Sequence, residues 1–320
     1  MNLRDHEGIQ TLFKSVLNPE KENLSDDVLE TRLKKISRRI ILFKITRVIL
    51  GIGAALSFFF GTEKIGPLAG MLSIIPFVIA IIVFSVKIFI VKNEKKQLIG
   101  TNIVGGAAAD EFEIIEYEAL KYIDFNEIKA AALLGNWNSC SGSDFIRGKY
   151  KGVSFSSSDI CLEQVNNHNG ENSRHKVFKG QWLICELNKT LETPLRLCER
   201  SFEGRGKKSD IETENQAFND KYRILTPDPH TAFYILTPHF MDYIVKMDDE
   251  AKARTYMCFM GNKVHIALYN NRDLFEANDK KILGGMNVGQ LRQQVKQEVK
   301  YITAVIDELL LNEYLFGRGE

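Results

Sequence analysis

The chain has 320 residues, enough for one or two domains with a real core, and its 42 Lys plus Arg stand against 41 Asp plus Glu. That balance supplies no global field toward nucleic acid, so no nucleic-acid partner is expected. The mean hydropathy of −0.16 suits a soluble protein only as an average, because the apolar residues are concentrated near one end.

Residues 1–39 are polar and highly charged and lack the early apolar core of a cleavable signal, so the stretch that begins at Ile40 reads as an anchor. These residues form the expected cytoplasmic N-terminal helical segment. Within it NLSDDVLETRLKKISRR predicts a helix, with Ser25 as N-cap, Asp26, Asp27 and Glu30 early and the cations late. Val28, Leu29, Leu33, Ile36 and Ile40 recur near helical spacing. The cations read as a topology signal, with contact to anionic headgroups as the alternative.

A first transmembrane helix is expected over 40–60 and a second over 65–90. Ile65–Val86 carries no charge, and at about 1.5 Å per residue it spans about 33 Å, enough for a hydrocarbon core of about 30 Å. Pro76 is tolerable in such a helix. The first helix is less clean, because Lys44 and Arg47 lie inside its start and must snorkel; a helix lying in the interface is the alternative. Gly51, Gly53, Ala54 and Ala55 predict a small-residue face for close helix approach. The membrane-flanking basic residues are Arg38, Arg39, Lys44 and Arg47 at the start of the hairpin and Lys87, Lys92, Lys95 and Lys96 at its end, whereas the expected turn Gly61–Lys64 holds only Glu63 and Lys64. With cations at both flanks, an even number of crossings puts both termini on the cytoplasmic side of the inner membrane.

The soluble part divides into a strand-rich region over 97–204 and an α+β unit over 210–320, with Ser201–Asp210 (SFEGRGKKSD) as a flexible boundary. Asn126–Leu134 predicts a short helix capped by Asn126. Strands are expected at Lys149–Phe155, Ile160–Val165, Gln181–Glu186 and Leu195–Cys198, with Asn166–Ser173 as a hairpin tip. Phe218–Leu225 reads as a strand, Asp228 as the cap of a short helix, and Thr237-Pro238 as the start of another. Gly261-Asn262 predicts a two-residue hairpin turn between Tyr256–Met260 and Lys263–Tyr269. Asn287–Leu311 predicts an amphipathic helix whose stripe is Val288, Leu291, Val295, Val299, Ile302, Val305, Ile306 and Leu309. The fold class is therefore α+β: a two-helix transmembrane hairpin, then a mixed α+β cytoplasmic domain ending in a long amphipathic helix.

The run FNDKYRILTPDPHTAFYILTPHFMDYI, the GN pair, HIALYNNRDLFEA and Phe178-Lys179-Gly180 together resemble the bacterial family catalogued as domain of unknown function 3137. The resemblance extends from the hairpin to the last helix and is most specific over Phe218–Phe275. It implies two membrane helices and an α+β cytoplasmic region, and it carries no reaction and no catalytic residues. It also points to a LemA-like membrane protein as a partner.

The residues offer little chemistry. Gly204-Arg205-Gly206-Lys207-Lys208 lacks the phosphate-loop spacing. His6, His168, His175, His230, His239 and His265 form no metal-binding pair, and Cys140, Cys161, Cys185, Cys198 and Cys258 are odd in number with no C-x-x-C. Reduced thiols are expected, with no metal and no cofactor. Asp248-Asp249-Glu250 reads as the solvated end of a helix. The expectation is a membrane-anchored, non-enzymatic interaction or scaffold protein bound to the bilayer and to a protein partner. The alternatives are a membrane-surface enzyme, with candidates near Asp144, Asp228 and His230, and a lipid-sensing domain built on a small barrel-like sheet.

Overall fold

The computed structural model describes residues 24–316 apart from 65, 169–170, 201–210, 252, 273–274 and 276–277. The chain divides into two units, Met1–Ile103 with Glu276–Gln293, and Val104–Phe275 with Gln294–Glu320.

The first unit is built on two helices, α1 (Asp26–Lys64, 39 residues) and α2 (Pro67–Ile99, 33 residues). The charged segment expected before the anchor and the first apolar stretch are thus one continuous helix. The two helices run antiparallel: Phe43 meets Phe84 at 5.6 Å between ring centroids, Gly53 meets Phe77, and Gly61 meets Gly70. Ser73 Oγ also donates to the Ser57 carbonyl at 3.1 Å. Small residues do allow close approach, but Gly53, Gly61 and Gly70 make it, whereas Gly51 faces open space. The expected turn at Gly61–Lys64 is still helical. The chain reverses after it, where Gly66 takes φ 116° and Pro67 starts α2.

Both helices are long and apolar enough to cross a membrane, and only 6% of the most apolar window of either is buried. A core helix of a soluble protein would be mostly buried, so this exposed apolar surface suits association with a membrane. Leu42, Ile45, Val48 and Ile52 on α1 and Leu68, Leu72, Ile82 and Phe89 on α2 belong to that band. Below it, Leu29, Leu33, Ile36 and Ile40 are buried as one stripe, while Val28 is exposed. Ile36 and Ile40 pack with Val91. A short helix, α8 (Asp279–Leu283), and the first residues of α9 (Val288–Leu310) belong to the same unit, with Arg292 paired to Asp26 at 2.7 Å.

After a π-helical turn (Gly100–Val104), the second unit opens with a short helix α3 (Gly105–Ala109). Its sheet, six-stranded among the described residues, is antiparallel throughout: β1 (Ile114–Glu118), β2 (Ser139–Tyr150), β3 (Val153–His168), β4 (Glu171–Glu199), β5 (Tyr222–Leu225) and β6 (Arg254–Tyr269). β4 pairs β3 along its first part and β5 at its end, with β6 also on it. Among the described residues β1 and β6 do not pair, so the sheet is open and the barrel-like sheet of the lipid-sensing alternative does not form.

Several short expected strands merge. Gln181–Glu186 and Leu195–Cys198 both belong to β4. Lys149–Phe155 instead splits into β2 and β3 at a turn where Lys151 and Gly152 take φ 47° and 85°. The Gly261-Asn262 hairpin is corrected: β6 runs straight through it. Residues on both sides pair antiparallel with β4, Tyr269 with Gly180 at one end and Met257 with Leu197 at the other. The irregularity is taken up by β4, whose register shifts between Glu186, Leu191 and Leu195, so Gly261 at φ 56° relieves a bulged pairing and does not reverse the chain.

The helices around the sheet are short. α4 (Phe125–Ala131) is capped by Asp124, which accepts from the Asn126 amide at 2.8 Å, and not by Asn126 itself. The expected strand Phe218–Leu225 begins as α5 (Gln216–Lys221), capped by Asn215, and only its last four residues are β5. α6 (Pro229–Ile235) starts from Asp228 as expected, and Thr237 Oγ1 caps α7 (Pro238–Ala251) by accepting from the Phe240 amide at 3.3 Å. Phe178, Trp182, Ile184, Tyr256 and Ala267 form one core with Ile128 and Ala131 of α4. All eight stripe positions of α9 are buried. A last helix, α10 (Glu313–Phe316), ends the described chain.

Candidate functional site

In the second unit the residues that gather polar chemistry surround Asp248. On α7 this residue lies one and two turns beyond Ile244 and Phe240, both buried, so the helical period turns it inward. It is 2% exposed, whereas Asp249, one position on, is exposed. The reading of this acidic run as a solvated terminus is therefore wrong at Asp248. Its helical spacing from Ile244 and Phe240 was the signal that could have shown it.

Three elements supply its partners. Tyr222, at the start of β5, donates its hydroxyl to Asp248 Oδ2, and Thr255, at the start of β6, donates its hydroxyl to Oδ1. The Thr255 amide adds a longer contact at 3.4 Å, and Lys221 Nζ stands 3.6 Å away while reaching Asp249 at 2.9 Å. Burial raises the Asp248 carboxyl above its ordinary value, and the Thr255 and Tyr222 hydroxyls and the Lys221 charge only partly oppose it. Burial, then the Asp248 charge, push the Tyr222 hydroxyl up as well. An open cleft of about 430 Å³ borders this cluster, lined among others by Glu199, Lys221, Asp248, Arg254, Asn270 and Asn271. It presents both charges and side-chain amides, which suits a small polar group. The Asp248 oxygens themselves are taken up by donors that hold three elements together.

The residues singled out from sequence are not gathered into one place. Asp144 lies in the β2 irregularity at φ 55°, where it accepts the Tyr117 hydroxyl at 2.6 Å and the Ser143 hydroxyl at 3.1 Å. Asp228 caps α6 and is held below its ordinary value by Thr231, and His230 is exposed beside it. His265 is buried on β6, where it accepts from Trp182 Nε1 at 3.4 Å; burial lowers it to about 4, so it is neutral near pH 7. The five cysteines are free thiols, and burial raises Cys140 and Cys258 to about 11. Among the described residues no group of three or more His, Cys, Asp or Glu could hold a metal ion. His6 and the Ser201–Asp210 boundary lie outside the described residues.

The cations flanking the hairpin differ in environment. Arg38, Arg39, Arg47, Lys87 and Lys92 are exposed, and Lys96 is half-buried. Lys95 is buried and donates to Asp279 at 2.6 Å, and Lys44 reaches the same carboxylate at 3.3 Å. Burial works against the Asp279 charge, but the two lysines prevail and hold the carboxyl below its ordinary value. Nothing in the sequence signals that pairing, because Asp279 is distant along the chain from both.

The family described as Protein of unknown function (DUF3137) matches residues 176–311. Those residues are a DUF3137 domain. The DUF3137 match takes in most of β4, the Asp248 cluster, Asp279 and the α9 helix, while the hairpin and β1 to β3 precede it. Phe178-Lys179-Gly180 and the FNDKYRILTPDPH run, on which the resemblance rested, both fall inside it. No curated protein matches the chain. Among solved structures, the mycobacterial trehalose monomycolate transport factor A, TtfA, overlaps 64% of this chain and 93% of its own at 9% identity and a TM-score of 0.32, a likeness too loose to carry an argument.

Proposed function

We propose that this chain is a membrane-anchored interaction or scaffold protein, non-enzymatic, with both termini on the cytoplasmic side of the inner membrane. The exposed apolar band on two antiparallel helices carries the reading, since water leaves that much contiguous apolar surface unfavourable and lipid covers it. The even number of crossings and the cations at both flanks support the orientation. The commitment of the Asp248 oxygens to Tyr222 and Thr255 supports a structural use for this buried acid. A protein partner of the LemA-like membrane class is part of the proposal.

A reporter fused after Glu320 tests the orientation. Fluorescence of a cytoplasm-specific fusion, with no activity of an export-dependent one, is expected; the reverse pattern removes the cytoplasmic assignment.

The second reading, an enzyme at the membrane surface, is favoured by the polar cleft beside Asp248. Asp249→Ala and Arg254→Ala change that cleft at its rim. Under the first reading both variants recover the same partner from detergent extracts as the unaltered chain and keep its cellular activity. Loss of cellular activity with partner recovery intact would move the assignment to the second.

A further inference from the structure

We infer that Lys280 and Lys281 of α8 form a contact site for anionic phospholipid headgroups at the margin of the apolar band. The inference rests on the reading that the hairpin spans a bilayer. All the residues that carry it belong to the first unit.

The position of α8 is fixed by charge. Lys44 lies on α1 between Leu42 and Ile45, both exposed, so it marks the edge of the surface that lipid covers. Asp279, the first residue of α8, is held by Lys44 at 3.3 Å and by the buried Lys95 at 2.6 Å. A carboxylate in that pair of contacts places the start of α8 at headgroup level, because a charged group deeper in hydrocarbon is strongly disfavoured. The helix is short but well pinned: Asn278 accepts from the Lys280 amide at 2.9 Å, and Ile282 is buried.

Two exposed cations therefore follow directly on a residue fixed at the edge of the band: Lys280 and Lys281. The hairpin adds exposed Arg47, Lys87 and Lys92 near the same edge. The acids there are few. Asp279 is paired, and Glu94 is the one acid in the α2 sequence, against four lysines. An excess of cations at this depth is complementary to lipid phosphate, and each cation near an anionic surface contributes to attraction that salt screens. The sequence hides this site, because α8 follows the whole sheet and its lysines look like ordinary surface charge.

The test uses the full chain in nanodiscs of phosphatidylcholine with phosphatidylglycerol, with native mass spectrometry counting the phosphatidylglycerol that stays bound. Lys280→Gln with Lys281→Gln is expected to lower that retention by up to about 30-fold at low salt, from two cations near an anionic surface. Lys129→Gln, on α4, is expected to leave it unchanged. Asp279→Asn is expected to lower retention with both lysines present, since α8 then loses its ionic hold. Undiminished retention in the double variant overturns this inference alone. A chain that never incorporates into nanodiscs overturns the membrane reading as well.

Discussion

His265 and Glu298 titrate over nearly the same pH range with opposite effects on stability. Burial lowers His265 to about 4 from 6.5, so between those values the unfolded chain binds more protons and stability rises with pH. Burial raises Glu298 on α9 to about 7 from 4.5, reinforced by Asp144 and opposed by Gln294, so the folded chain binds more protons and stability falls with rising pH. Each contributes about 3 kcal/mol across its range, with opposite sign. Thermal melting of the full chain in detergent between pH 4.5 and 6.5 reads each contribution when variants are compared with the unaltered chain. His265→Gln, which keeps an acceptor for Trp182, should leave the falling slope of Glu298 exposed; Glu298→Gln should leave the rising slope of His265. Flat profiles in both variants would show that neither group is shifted. Neither burial was visible at the residue level, because a histidine in a strand and a glutamate in a helix carry no mark of what packs over them.

At the scale of elements, Gly180 explains why glycine follows Phe178-Lys179 in β4. A Cβ there would stand 2.0 Å from the Leu268 carbonyl oxygen on the paired strand β6, a backbone atom that cannot move aside. Gly180→Ala is expected to cost about 2 kcal/mol or more by forcing the two strands apart. Gly106→Ala, which meets nothing within 4 Å in α3, is expected to be neutral or slightly stabilising. Equal melting temperatures for the two variants would contradict the close approach. Elements with strong local signals were legible: the α9 stripe, the Asp228 and Thr237 caps, and the two apolar helices all follow from period and end chemistry. The two failures have different causes, one long-range and one local. Gly261-Asn262 has the local chemistry of a hairpin, but pairing of both flanks with β4 overrides it. Phe218–Leu225 has strand-forming residues, but Asn215 caps a helix turn before β5 begins.

For the whole molecule, the order of charge and hydropathy along the chain determined the division into an apolar hairpin and an α+β domain, because solvent preference is local and additive over a helix. What the tertiary structure decided is which distant charges meet. Asp248 became the centre of a polar cluster because Tyr222 and Thr255 converge on it from two strands, and Asp279 became the partner of Lys44 and Lys95 because the chain returns to the hairpin after the sheet. Ion pairs and buried hydrogen bonds depend on separations of a few ångströms between residues far apart in sequence, and only the folded backbone sets those distances.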